Sequence, residues 1–143
     1  MATTEKNKAI VCRFWEEVFN RRQLSLIEEL FTNDWVYHGV GGLKVYGPEG
    51  LKQFLTAYHN AFPDIQVTVE NLIAEGDKVV SYVTCRGTHK GELMGIVPAG
   101  KQVTVPVISI SRFVDDKIIE DWEIIDLFGM LQQLDVIPSP GQK

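Results

Sequence analysis

Three ionisable residues toward the end of the chain, Arg112, Glu120 and Asp126, have the types and spacing of a proton-transfer site. They flank a hairpin turn at Val114-Asp115-Asp116-Lys117, and the loop length decides which side chains share a face. A two-residue loop puts Ser109 and Ser111 with Ile118 and Trp122, which mixes polar and apolar positions on both sides. A three-residue loop with Asp116 in the left-handed conformation pairs Arg112 with Ile118, Ile110 with Glu120 and Ile108 with Trp122. One face then carries Ile108, Ile110, Arg112, Ile118, Glu120, Trp122, Ile124 and Asp126; the other carries Ser109, Ser111, Asp121 and Glu123. The mainly apolar face is expected under the helices, with Arg112, Glu120 and Asp126 inside. Buried charges are costly unless paired, and two readings follow. In one, Arg112 and Glu120 form an internal salt bridge and Asp126 caps a helix that begins at Leu127. In the other, these groups border a pocket. A desolvated carboxylate there has its pKa raised toward neutrality, so it can take a proton from a carbon acid and later return it.

The elements that must hold such a site can be read from periodicity. Ile10, Phe14 and Val18 beside Val11, Trp15 and Phe19 make two rows at helical spacing. Leu24, Ile27, Leu30 and Phe31 suggest a short second helix that stops at Thr32-Asn33-Asp34, followed by a short strand at Trp35-Val36-Tyr37-His38. Gly47-Pro48-Glu49 opens a third helix with Leu51, Phe54, Leu55, Tyr58 and Phe62, ended by Pro63-Asp64. Strands are expected near 65–74, 78–88, 102–113 and 117–126, with a final helical turn from Phe128 to Leu134. The apolar, glycine-rich stretch from Lys90 to Gly100, with Leu93, Met94, Ile96 and Val97, is a candidate lid over a pocket mouth. Helices first and antiparallel strands second give an α+β domain spanning 1–143.

Composition narrows the function. A net charge of −5 lacks the basic excess that phosphate backbones demand, so nucleic acid is not an expected partner. No secretory h-region and no run of about 18 apolar residues is found, which predicts a cytoplasmic protein without a membrane partner. Cys12 and Cys85 lack CxxC spacing and read as reduced core thiols. The three histidines lack metal-binding spacing, so no metal is expected; His59 falls off the apolar stripe and is expected at the surface. Among the aromatic residues, Trp35, Tyr58 and Trp122 are expected to line a cavity for a small hydrophobic molecule, together with Ile108, Ile110, Glu120 and the lid residue Met94. Val105, Val107, Phe113, Ile119 and Ile125 are expected on the exposed face of the sheet, where they suggest a homodimer or higher even oligomer.

Several segments together resemble the SnoaL-like polyketide cyclases over roughly 8–137: Trp35-Val36-Tyr37-His38, Phe62-Pro63-Asp64, Gly87-Thr88-His89-Lys90-Gly91, Pro98-Ala99-Gly100-Lys101, and Ile119-Glu120-Asp121-Trp122 through Asp126 with Gly129-Met130-Leu131-Gln132-Gln133-Leu134. The resemblance implies the NTF2-like cone, about three N-terminal helices packed on a curved antiparallel sheet with a short C-terminal helical turn. It also implies intramolecular aldol condensation without metal or cofactor. Asp126 matches the family's acid/base aspartate, and His38 matches a pocket histidine. Arg112 stands where cyclases carry another histidine, so His38 and Arg112 are candidates to stabilise the oxyanion. Relatives commonly carry arginine where this chain has Tyr82, a further pocket candidate, and His89 is a secondary one. The competing expectations are a non-catalytic carrier of a hydrophobic ligand, and an isomerase or epoxide hydrolase of related architecture.

Overall fold

The computed structural model describes residues 3–138. Helix α1 (Thr3–Arg13) continues into a π-helical stretch, Phe14–Asn20, and the two apolar rows bury Val11, Trp15, Val18 and Phe19. Asn20 ties this helix to the sheet: its Nδ2 donates to Val67 O at 2.9 Å and its Oδ1 accepts from Val67 N at 2.7 Å. A 3₁₀ turn at Leu24–Leu26 leads into α2 (Ile27–Leu30), which is shorter than the pattern suggests. Thr32-Asn33-Asp34, expected to stop a helix, lies instead within strand β1 (Phe31–His38). Strand β2 (Lys44–Tyr46) was not expected; helix α3 (Gly47–Ala61) begins with proline in its first turn, as anticipated.

Strands β3 (Gln66–Glu75), β4 (Lys78–Thr88), β5 (Gln102–Val114) and β6 (Lys117–Ile125) complete a six-stranded curved sheet in the order β2-β1-β6-β5-β4-β3. The sheet is mixed rather than purely antiparallel, because β1 runs parallel to β6. Helix α4 (Leu127–Gln133) follows β6 and buries Met130. The helices cover one face of the sheet, the arrangement of an α+β, NTF2-like cone. Among the described residues no helix is long and apolar enough to cross a membrane.

The last hairpin departs from expectation in two ways. Its loop has two residues, with Asp115 and Asp116 both left-handed (φ 49° and 64°) and Val114 paired to Lys117. This is the mirror-image turn that matches strand twist, a conformation aspartate tolerates. A bulge beyond Phe113–Ile118 then shifts the register, so that Arg112 pairs with Glu120, Ile110 with Trp122 and Ile108 with Ile124. Apart from Ile118, which is buried, the expected grouping of residues into two faces holds, but inside and outside are exchanged. Val105, Val107 and Phe113 are core rather than exposed surface, and the outer face instead exposes Ile73, Tyr82, Ile108 and Ile124. Parity along the whole of β5 explains the exchange. Val103, Val105 and Val107 share their parity with Ser109 and Ser111, whereas Gln102, Thr104 and Pro106 share theirs with Ile108 and Ile110.

Candidate active site

The covered face of the sheet and the helices enclose a cavity of about 100 Å³. Its wall is almost wholly apolar, built from Trp15 and Phe19 of the first helix, Leu51 and Phe54 of α3, valines of β5 and Met130 of α4. Two carboxylates interrupt it, Asp121 and Glu123, on alternate residues of β6 and therefore on one face.

Each acid is held between a serine of one neighbouring strand and an aromatic donor of the other. Ser111 lies opposite Asp121 and Ser109 opposite Glu123 in the β5–β6 register. The Ser111 hydroxyl donates to Asp121 Oδ1, and Trp35 Nε1 donates to Oδ2 at 2.8 Å. The Ser109 hydroxyl donates to Glu123 Oε2 at 2.7 Å, and the Tyr37 hydroxyl donates to Oε1 at 2.7 Å. Trp35 and Tyr37 reach inward because β1 alternates, and its parallel pairing sets Tyr37 beside Asp121. Among the described residues, neither acid has a cationic partner.

This environment opposes ionisation. Burial pushes the Asp121 carboxyl up to about 7, against the hydrogen bonds from Ser111 and Trp35 and with the Glu123 and Glu120 charges adding to the rise. Burial raises Glu123 as well, against the hydrogen bonds from Tyr37 and Ser109. Tyr37 is held well above the ordinary tyrosine range, first by burial and then by the charge of Glu123. Tyr58 and Cys85, also on the wall, are pushed up to about 12, chiefly by burial. Cys85 therefore stays a thiol at neutral pH and is not an activated nucleophile.

The residues expected to form the site are dispersed. Asp126 is exposed and caps α4, its Oδ1 accepting from Gly129 N at 2.9 Å. Gly129 permits that approach, since a Cβ there would lie 2.1 Å from Asp126 Oδ2. The capping reading of Asp126 is thus the correct one, and its expected position inside the cone is not observed. His38, Glu120 and Arg112 form a cluster on the outer face: His38 Nε2 lies 2.7 Å from Glu120 Oε2, Arg112 Nη2 donates to Glu120 Oε1 at 3.0 Å, and the His38 ring stacks on Trp122. The Arg112–Glu120 pair forms, but outside the cavity. Tyr82, Ile108 and Ile110 share that outer face, because even-numbered positions of β4 and β5 point away from the helices.

His89 is buried against Phe62 but does not line the cavity, and its Nε2 has no hydrogen-bond partner. His59, expected at the surface, is buried, with Nε2 at 3.0 Å from Phe19 O. Met94 is exposed, and no residue of the 90–100 segment contributes to the wall. That segment is pinned elsewhere: Lys90 N and Gly91 N both donate to Ala61 O at the end of α3. Of the expected pocket residues, Trp35 and Tyr58 are in place. Asp121, Glu123, Tyr37, Ser109 and Ser111 were missed, although the matching parity of two serines and two acids on paired strands is visible in the sequence. Among the described residues no group of three His, Cys, Asp or Glu side chains is arranged to hold a metal ion.

The fold has counterparts in known proteins. The family model for SnoaL-like polyketide cyclases matches residues 9–134. The structure of IdmH from Streptomyces antibioticus, provisionally called a polyketide cyclase, is 30% identical; the match covers 90% of this chain and 98% of that one with a TM-score of 0.80. AclR from Streptomyces galilaeus, provisionally called a hydroxylase, is 29% identical over 98% of this chain and 87% of its own, with a TM-score of 0.85. A SnoaL-like protein from Jannaschia sp. CCS1 is 25% identical over 96% and 98%, with a TM-score of 0.88. No curated protein matches the sequence. With the family model spanning nearly all of the described residues, the chain belongs to the SnoaL-like polyketide cyclase family.

Proposed function

We propose that this protein is an acid/base enzyme that enolises a hydrophobic carbonyl substrate, with aldol-type ring closure as the reaction its family membership favours, and that Asp121 is the base. The observation that carries this reading is a buried carboxylate, without a cation, opening onto an apolar cavity and tuned to about 7. A base poised near the working pH combines an adequate ionised fraction with adequate basicity. Trp35 only donates, so Oδ2 accepts in both protonation states and the proton travels on Oδ1. The Ser111 hydroxyl there can reverse from donor to acceptor.

In the proposed step Asp121 takes a proton from a carbon between two carbonyls, and the electron pair of that C–H bond becomes the enolate. The enolate carbon attacks a second carbonyl, forming the C–C bond, and the new alkoxide recovers the proton from Asp121. Apolar cavities of about 150 Å³ accept a single benzene ring. The cavity described here therefore suits the reacting end of a substrate rather than a polycyclic body.

The test is Asp121→Asn, which keeps the Trp35 hydrogen bond through its carbonyl oxygen and offers its amide to Ser111. Carbon-proton exchange on 2-tetralone, an apolar ketone that stays protonated at carbon at neutral pH, followed by NMR in heavy water, is expected to fall ~10²–10⁴-fold in the variant. Equal exchange in variant and parent contradicts the assignment. Retention of the ketone without exchange by the parent supports a carrier instead.

A further inference from the structure

We propose that Tyr37 donates the hydrogen bond that stabilises the enolate oxygen, and that Glu123 is the positioning residue whose neutral form frees the Tyr37 proton for this task. The proposal rests on the reading of the cavity as a site of enolisation.

The Tyr37 hydroxyl lines the cavity and, as the structure stands, donates to Glu123 Oε1 at 2.7 Å. While Glu123 is ionised its carboxylate is the strongest acceptor within reach, and the phenolic proton is committed to it. Once Glu123 carries a proton, the roles at that contact reverse. The carboxylic acid donates to the Tyr37 oxygen, and the phenolic O–H turns to an oxygen in the cavity. Ser109 holds Glu123 in either state, because its hydroxyl both donates and accepts.

The hydrogen-bond partners also decide which acid keeps a proton. Asp121 and half-buried Glu123 face one largely apolar cavity, and like charges there resist joint ionisation. The indole of Trp35 can only donate, so it favours charge on Asp121, whereas both partners of Glu123 are hydroxyls that serve the neutral acid equally well. The other titratable groups around Glu123 are Tyr58 from α3, Cys85 from β4 and Asp121 on β6 itself, and none is a cation. The guanidinium of Arg86, a residue of the cavity wall, is directed to Thr68 Oγ1 at 3.3 Å on the exposed side. Burial raises Glu123 and Tyr37 alike, so Tyr37 keeps its proton and acts as a donor.

The probe is para-nitrophenol, whose phenolate oxygen imitates an enolate oxygen and whose ionisation is read by absorbance. The background is Asp121→Asn, which imitates the state in which residue 121 already holds the substrate's proton. Affinity for the phenolate is expected to fall at alkaline pH as Glu123 ionises. Adding Tyr37→Phe is expected to weaken phenolate binding ~10–100-fold at neutral pH. Adding Glu123→Gln, whose amide donates to the Tyr37 oxygen as the neutral acid does, is expected to remove the alkaline fall, and Glu123→Ala is expected not to restore binding as glutamine does. Three results overturn the proposal: no phenolate binding in the Asp121→Asn background, affinity there that does not change with pH, or Tyr37→Phe binding as tightly as its background. Since binding needs no turnover, these results separate failure of the donor assignment from failure of Asp121 as base, which the exchange experiment reads.

Discussion

Glu120 and Asp121 are neighbours in sequence but lie on opposite faces of β6: Glu120 outside between His38 and Arg112, Asp121 inside between Trp35 and Ser111. The hydrogen bond from His38, assisted by Arg112, holds the Glu120 carboxyl below its usual range, whereas burial lifts Asp121 to about 7. The outer acid is an ion-pair partner across a sheet surface; the inner one is destabilised when charged and is therefore chemically available. Charge pairing makes an acid inert, and apolar burial with uncharged donors makes it reactive.

The largest expected effect that breaks this contrast is on turnover. Asp121→Asn is expected to lose ~10²–10⁴-fold of exchange activity, whereas Glu120→Gln is expected to stay within a few-fold of the parent in the same assay. A comparable loss in both would erase the distinction between the faces.

Stability against pH sharpens it, because the two acids contribute with opposite sign. The native state holds the Asp121 proton from its ordinary 3.8 up to about 7 while the unfolded chain releases it. Native protein therefore binds more protons across that window, and stability falls as pH rises, by up to about 4 kcal/mol relative to Asp121→Asn. For Glu120 the folded value lies below the unfolded one, so its contribution is present above the unfolded value and is lost as pH falls through the folded one. Urea unfolding of Asp121→Asn and Glu120→Gln beside the parent, from acidic buffer below the ordinary carboxylate range up to mildly alkaline buffer, reads both slopes. The same slope for both variants contradicts the account.

Smaller effects follow from the supporting residues. Trp35→Phe removes the indole N–H donor to Asp121 and is expected to cost about 1–3 kcal/mol in urea unfolding, with the midpoint of the activity profile displaced upward. Asp126→Ala removes the α4 cap and is expected to cost about 0.5–2 kcal/mol of stability with exchange activity kept. Loss of activity with Asp126→Ala, as large as with Asp121→Asn, would return the chemistry to the end of β6.

Much of this architecture was legible in the sequence. The helical rows of α1, the Gly47-Pro48 start of α3 and the alternation of β3 to β6 predict their elements within a few residues, because each reflects a periodic apolar face. The site was not legible by the same means. Counting isoleucines between positions 108 and 124 favours the wrong face, since a sheet can leave isoleucines in solvent while it turns inward serines and acids that satisfy one another. The bulge at the hairpin, which moves Ile118 inside without moving Ile110 or Trp122, has no signature in local spacing. The donors Trp35 and Tyr37 come from a strand about 85 residues earlier, joined by a parallel pairing that sequence pattern does not specify.

The proposed chemistry depends on the carboxyl group of Asp121 titrating near neutrality in an apolar cavity. Carbon-detected NMR of the side-chain carboxyl, assigned through Asp121→Asn, measures this without a substrate. The expected midpoint is about 7, far above the ordinary aspartate value. A midpoint at the ordinary value would mean a solvated carboxylate and would contradict that chemistry.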